Sequence, residues 1–153
     1  MSRAPHDSSH THVTGESEFI DDRAPIAGEL IVGIICSRVA RGKLVNLDLK
    51  KALAVPGVVA AFTAKDLAHN LWGTVFQDQP IFASDDINYF GEPVCALACE
   101  NPEALRQARR LVGITITKLA PMLSISEAKK KASFIAAPRV IQSGAAESAF
   151  NTP

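Results

Sequence analysis

No pair of cysteines in this chain is placed for a disulfide or a metal site. There are three, an odd number, and none forms a Cys-x-x-Cys. Cys95 and Cys99 are four residues apart in a stretch that reads as a strand, about 13 Å at the usual rise and beyond disulfide reach. Unpaired thiols, with no apolar signal-peptide core near the start, point to a reducing cytoplasm. No apolar run approaches the roughly 20 residues that cross a bilayer, so no membrane partner is expected. A charge bias is missing too. Sixteen Lys and Arg balance 16 Asp and Glu, which argues against nucleic acid as the main partner. Also absent are G-x-x-x-x-G-K, G-x-G-x-x-G, H-E-x-x-H and G-x-S-x-G, and no Ser or Cys has a recognisable base beside it. His69 is the sole histidine of the globular stretch. His6, His10 and His12 lie near the start, where no carboxylate or cysteine completes a metal set.

What remains is an ordinary globular composition, 47% hydrophobic and 21% charged over 153 residues. That length fits one domain and supports its own core. The charges are unevenly spread. Residues 1–35 hold two cations against six carboxylates, whereas residues 102–139 are basic, led by Arg106, Arg109, Arg110 and Lys129-Lys130-Lys131. Solvated faces, with an intersubunit surface as the sharper alternative, account for this.

The most legible stretch is Leu44–Leu67. Alternation over Leu44–Leu49 predicts a half-buried strand with Val45, Leu47 and Leu49 inward and Asn46 and Asp48 outward. Asp48 then caps a short helix over Lys50–Leu53, which Pro56-Gly57 ends. The apolar run Val58–Phe62 predicts a buried strand, and Thr63-x-x-Asp66 has the spacing of a helix-start box. Earlier, residues 1–11 read as a flexible segment, Asp21-Asp22 as a turn, and Leu30–Cys36 as a central strand because both its faces are apolar. Ser37–Lys43, with Arg38, Arg41 and Lys43, is a solvated loop or, less simply, an anion-binding turn.

Beyond Leu67, residues 69–78 lack periodicity and read as a long loop, of the kind that is functional or packed on something else. Trp72 and Phe76 are therefore candidate docking residues, with cover of the domain's own core as the alternative. Ile87–Tyr89 starts a strand. Phe90-Gly91-Glu92-Pro93 makes a turn whose Phe90 and exposed Glu92 can face a partner, and Val94–Cys99 is a buried strand. Asn101 and Pro102 open a helix with Leu105, Ala108, Leu111 and Val112 on its apolar face. Ile114–Thr117 alternates as a strand, and Ser124-x-x-Glu127 opens a last helix reaching Phe134. From Ala136 the Ala, Pro, Gly and Ser content is that of a linker.

These pieces in this order resemble a known domain. They are His12-Val13-Thr14-Gly15-Glu16 with Asp21-Asp22, and Ser37 to Gly42-Lys43 leading into Leu47-Asp48. Ala52-Leu53-Ala54-Val55-Pro56-Gly57-Val58-Val59-Ala60 and Thr63-Ala64-Lys65-Asp66-Leu67 follow. Tyr89-Phe90-Gly91-Glu92-Pro93-Val94 and Gln107-Ala108-Arg109-Arg110 complete the set. From about Pro5 to Phe150 the chain is similar to the N-terminal a/b hammerhead domain of the molybdenum-binding (large) subunit in the xanthine dehydrogenase and aldehyde oxidase family.

The resemblance implies an α+β fold, a mixed or antiparallel sheet with a few short helices on it. Residues 12–135 would form the hammerhead and 136–153 a linker toward a molybdopterin-binding domain. It implies purine or aldehyde hydroxylation at molybdopterin with oxygen from water, and electron exit through iron–sulfur clusters and FAD. The partners it implies are the molybdopterin-binding domains and the iron–sulfur/FAD subunit, with a homo-oligomer as a further expectation. No catalytic, cofactor or metal residue is carried over to this stretch, because the family places those further along. Two positions depart from the family pattern: Glu92, where a neutral amide is usual in Gly-x-Pro, and Lys118, in a stretch often acidic. The competing reading is a stand-alone, non-catalytic interaction module of hammerhead fold.

Overall fold

The computed structural model describes residues 6–137 and 139–151. Short helix α1 (Ser9–Thr14) leads through a 3-10 turn at Ile20–Asp22 to strand β1 (Ile31–Cys36). Strand β2 (Gly42–Asp48), helix α2 (Lys50–Leu53) and strand β3 (Val58–Thr63) follow. Next come the two-residue strands β4 (Leu71–Trp72), β5 (Gln79–Pro80) and β6 (Asp86–Ile87), then β7 (Pro93–Cys99), helix α3 (Pro102–Leu111) and β8 (Gly113–Lys118). Helices α4 (Ile125–Lys130) and α5 (Ala146–Phe150) end the described chain. Every pairing is antiparallel. One sheet runs β1-β7-β3, a second β6-β2-β8, and β4 pairs with β5.

The capping chemistry does what the spacing predicts. Asn101 Oδ1 accepts the Ala104 amide at 2.9 Å with Pro102 behind it. Asp48 Oδ1 accepts the Lys50 amide at 3.0 Å. Thr63 and Asp66 form a full box, although it opens only a 3-10 turn. Pro56 and Gly57 make a turn in which the Val58 amide donates to the Val55 carbonyl at 3.1 Å. Gly57 sits there at φ +85°, the second central position of a type II turn. A side chain at Gly57 would meet Ala104 Cβ at 3.1 Å, so the turn is also where α3 seats.

The core lies on one face of the first sheet. Cys95, Leu97 and Cys99 of β7 pack with Ile35 of β1 under Ala52 and Val55 and under Ala104 and Ala108 of α3. A second cluster of Ala83, Ile87 and Val94 packs against Leu44 and Ile116, and Leu47 and Ile114 touch both.

Several sequence expectations are corrected. In the first sheet β7 is central and β1 and β3 are edges, and Val32, Ile34, Val59 and Phe62 stay exposed. An apolar run shows that a strand can be covered, not that its own chain covers it. Val45 is 63% exposed rather than inward, because the β2–β8 register slips between Leu44 and Asn46. That bulge brings Leu44 to the inner side instead. On α3 the buried stripe is Ala104 and Ala108, and Leu111 is exposed. A helix over residues 9–14 overlaps the segment read as flexible, residues 69–78 are not all loop, and α4 ends at Lys130, short of Phe134.

Candidate docking groove

Val112, just before β8, and Ile114, Ile116 and Lys118 of β8 form a row, two residues apart and so on one face. Facing them are the end of β1 and its continuation, from Ile34 to Val39. Between the two runs lies an open groove of about 890 Å3, lined also by Arg109 and Arg110 of α3 and by Phe90-Gly91. A smaller cleft of about 210 Å3 adjoins it, lined by Arg38, Arg41, Lys118, Leu119 and Pro121 among others. The floor is apolar and the rim carries cations.

Local geometry explains each wall. The β1–β7 register slips between Ile35 and Cys36, which turns Cys36 toward the groove. Ser37 is buried, and its hydroxyl accepts the Val39 amide at 3.0 Å while donating to the Val39 carbonyl at 2.9 Å. That local ring folds the chain so that Arg38 projects outward. Arg41 is tied across to the end of β8: the Leu119 amide donates to its carbonyl at 3.0 Å, and its guanidinium reaches the Ala120 carbonyl at 3.4 Å. Arg109 donates to the Ile34 carbonyl at 3.2 Å, pinning the helix end to β1.

Phe90 stands on a turn in which the Glu92 amide donates to the Tyr89 carbonyl at 3.3 Å and Gly91 adopts φ +91°. The turn is clamped to Ser37 by two backbone bonds, Gly91 N–H to the Ser37 carbonyl at 2.9 Å and Ser37 N–H to the Glu92 carbonyl at 2.8 Å. Glu92 is not exposed as the sequence suggests; it is 1% exposed, and its carboxylate accepts the Asn88 amide. A carboxylate out of water needs such a donor. Glu92 therefore shapes the turn from inside, and Phe90, 69% exposed, is the part left facing outward.

The other two aromatic candidates stand elsewhere. Trp72 and Phe76, 60% and 74% exposed, belong to the β4–β5 hairpin and do not line the groove. Asn70 holds that hairpin's base: its side-chain amide donates to the Phe82 carbonyl at 2.7 Å and its oxygen accepts the Phe82 amide at 2.9 Å. The four candidates thus separate into one groove residue, two hairpin residues and one buried brace. The groove's cations were visible in the sequence only as scattered basic residues; pairing of Gly42 with Lys118 is what collects them.

The donor set does not fit a molybdopterin. A pterin offers donors and acceptors along one edge, whereas the polar side chains lining the groove are cations, Cys36 and a serine already hydrogen-bonded to its own turn. Every buried side-chain nitrogen and oxygen among the described residues already has a hydrogen-bond partner, and no three His, Cys, Asp or Glu side chains among them converge on a point. The arrangement offers cations and apolar surface to a chain or an anion.

Known proteins resemble this chain in sequence and in fold. The family model "Aldehyde oxidase and xanthine dehydrogenase, a/b hammerhead domain" matches residues 14–120. Xanthine dehydrogenase of Drosophila pseudoobscura pseudoobscura is 36% identical over 95% of this chain, and aldehyde oxidase 1 of Oryctolagus cuniculus 35% over 95%. The chain spans 11% of the length of each. Among solved structures, aldehyde oxidoreductase from Desulfovibrio gigas superposes with a TM-score of 0.74 at 23% identity, over 81% of this chain and 15% of that one. The Cu,Mo-CO dehydrogenase in its carbon monoxide-reduced state gives 0.73 at 22%, over 82% and 16%. At those identities the likeness is one of fold.

Proposed function

Because the chain belongs to the a/b hammerhead domain family of aldehyde oxidases and xanthine dehydrogenases, we propose that it is the non-catalytic docking unit of a molybdenum hydroxylase. The whole enzyme would hydroxylate a purine or an aldehyde with oxygen from water, using molybdopterin, iron–sulfur clusters and FAD held by its other parts. In this reading the partners are the molybdopterin-binding domains and the iron–sulfur/FAD subunit, and the compartment is the cytoplasm, in keeping with three free thiols. The observation that carries the proposal is the amount of apolar surface the chain leaves open. Phe90, Trp72, Phe76, Val32, Ile34 and Phe62 are all exposed, on a fold whose relatives are about nine times longer. Large apolar side chains left open in this way are the material of an interaction surface.

The test is to tag the chain at its own locus, capture it under mild conditions, and measure molybdenum and xanthine- or aldehyde-dependent dye reduction. The captured assembly is expected to carry both, and the isolated 153-residue chain neither. Molybdenum or turnover in the isolated chain, or an assembly lacking both, overturns the proposal.

A further inference from the structure

We propose that the groove between β1 and β8 receives an acidic polypeptide segment with bulky apolar residues at its centre. This rests on the docking reading above and names its chemistry. Five cations border the groove and its adjoining cleft: Arg38, Arg41, Arg109, Arg110 and Lys118. They come from three separate parts of the chain, and no Asp or Glu is among the lining residues. Among the described residues none of the five takes part in an ion pair. Arg110 lies in the field of Glu103, but that carboxylate is held by Arg106 and Gln107. The carbonyl end of α3 offsets only about half a unit of charge. The rim is therefore strongly positive and calls for carboxylates.

The floor decides what kind of anion fits. Ile34, Val112, Ile114 and Ile116, together with Phe90, offer apolar surface that phosphate or a nucleic-acid backbone would leave wet. Filling it with one or two large apolar side chains adds the hydrophobic contribution of a docked core residue. The groove is also open and shares Arg38, Val39 and Lys118 with the cleft beside Leu119 and Pro121, so the two together can take a chain lying across both. Carboxylates flanking a Phe or Ile satisfy rim and floor together.

The test uses fluorescence anisotropy with the whole chain and a labelled peptide Asp-Glu-Phe-Ile-Glu-Asp. Saturable binding that weakens as salt rises is expected, because rim charges attract through screened electrostatics. Arg110→Glu with Lys118→Glu, and separately Lys118→Glu alone, should weaken it, the pair by about tenfold or more, with the thermal midpoint unchanged. Replacing Phe-Ile by Ser-Ser in the peptide should weaken it similarly. Bound peptide should also slow alkylation of Cys36, which lines the groove. Absence of saturable binding overturns the proposal. So does equal binding of the Ser-Ser peptide, of inorganic phosphate or of an oligothymidylate, since each would make the floor irrelevant. If the peptide fails while the tagged chain still brings down molybdenum, the groove assignment falls and the docking unit stands.

Discussion

The β7–α3 core and the β1–β8 groove are built from neighbouring residues yet obey opposite rules. In the core, Cys95, Leu97 and Cys99 face Ala104 and Ala108 with no polar group between them, and small residues on the helix let it lie close to the sheet. In the groove, Ile114 and Ile116 start as core residues, and the same row ends at Lys118. One face of one strand passes from partly buried and apolar to cationic within five residues. The lesson is that the groove is not a gap in the packing. Its floor is held by the same residues that hold the core, so its shape should persist when its rim is changed.

That contrast breaks first at Gly57. A β-branched residue at φ +85° is strained, and its side chain would press on Ala104, already 3.1 Å from a bare Cβ. Gly57→Val is expected to cost about 2 kcal/mol or more, read as a lowered midpoint in urea or heat. Binding of the acidic peptide to the fraction still folded should be unchanged. An unaltered midpoint would mean that the turn relaxes and that α3 is not seated on it.

Glu92 comes next and probes the link from core to groove. Glu92→Ala leaves the Asn88 amide without its acceptor, a loss of about 1–2 kcal/mol for a part-buried hydrogen bond to a charged group. It also frees the turn that presents Phe90. Stability should fall by that amount, and peptide binding should weaken as well, although no groove cation has been touched. A variant that loses stability but binds as before would detach Phe90 from the docking site.

How far these features could be read in advance follows the same division. Caps and turns were legible because their chemistry is local: Asn101-Pro102, Thr63-x-x-Asp66 and Pro56-Gly57 each act within four residues. The hammerhead resemblance supplied the global arrangement. What failed was mostly decided by a distant partner. Val45 faces outward because of a register slip imposed by β8, and the edge position of β1 follows from β7 pairing with both its neighbours. Glu92 looked like a solvated residue in a turn, and only the fold of residues 88–92 shows its carboxylate turned inward. Arg38 and Lys118 lie 80 positions apart, so no window along the chain could have joined them.

The smallest effect separates the two regions without altering either. Cys36 is exposed at the groove, whereas Cys95 and Cys99 are buried in the core. Burial pushes the Cys95 thiol from its ordinary 9.0 up to about 11 and raises Cys99 as well. A thiol reagent at neutral pH should therefore modify one of the three at once and the other two only on unfolding. The same shift carries a sign for stability. A group whose folded pKa is raised contributes fully below its unfolded value and loses that contribution as pH rises through the folded one. Stability should thus decline between pH 9 and about 11, and Cys95→Ala should flatten that decline. Three thiols reacting at one rate would mean that the core opens as readily as the groove, and the distinction between them would be lost.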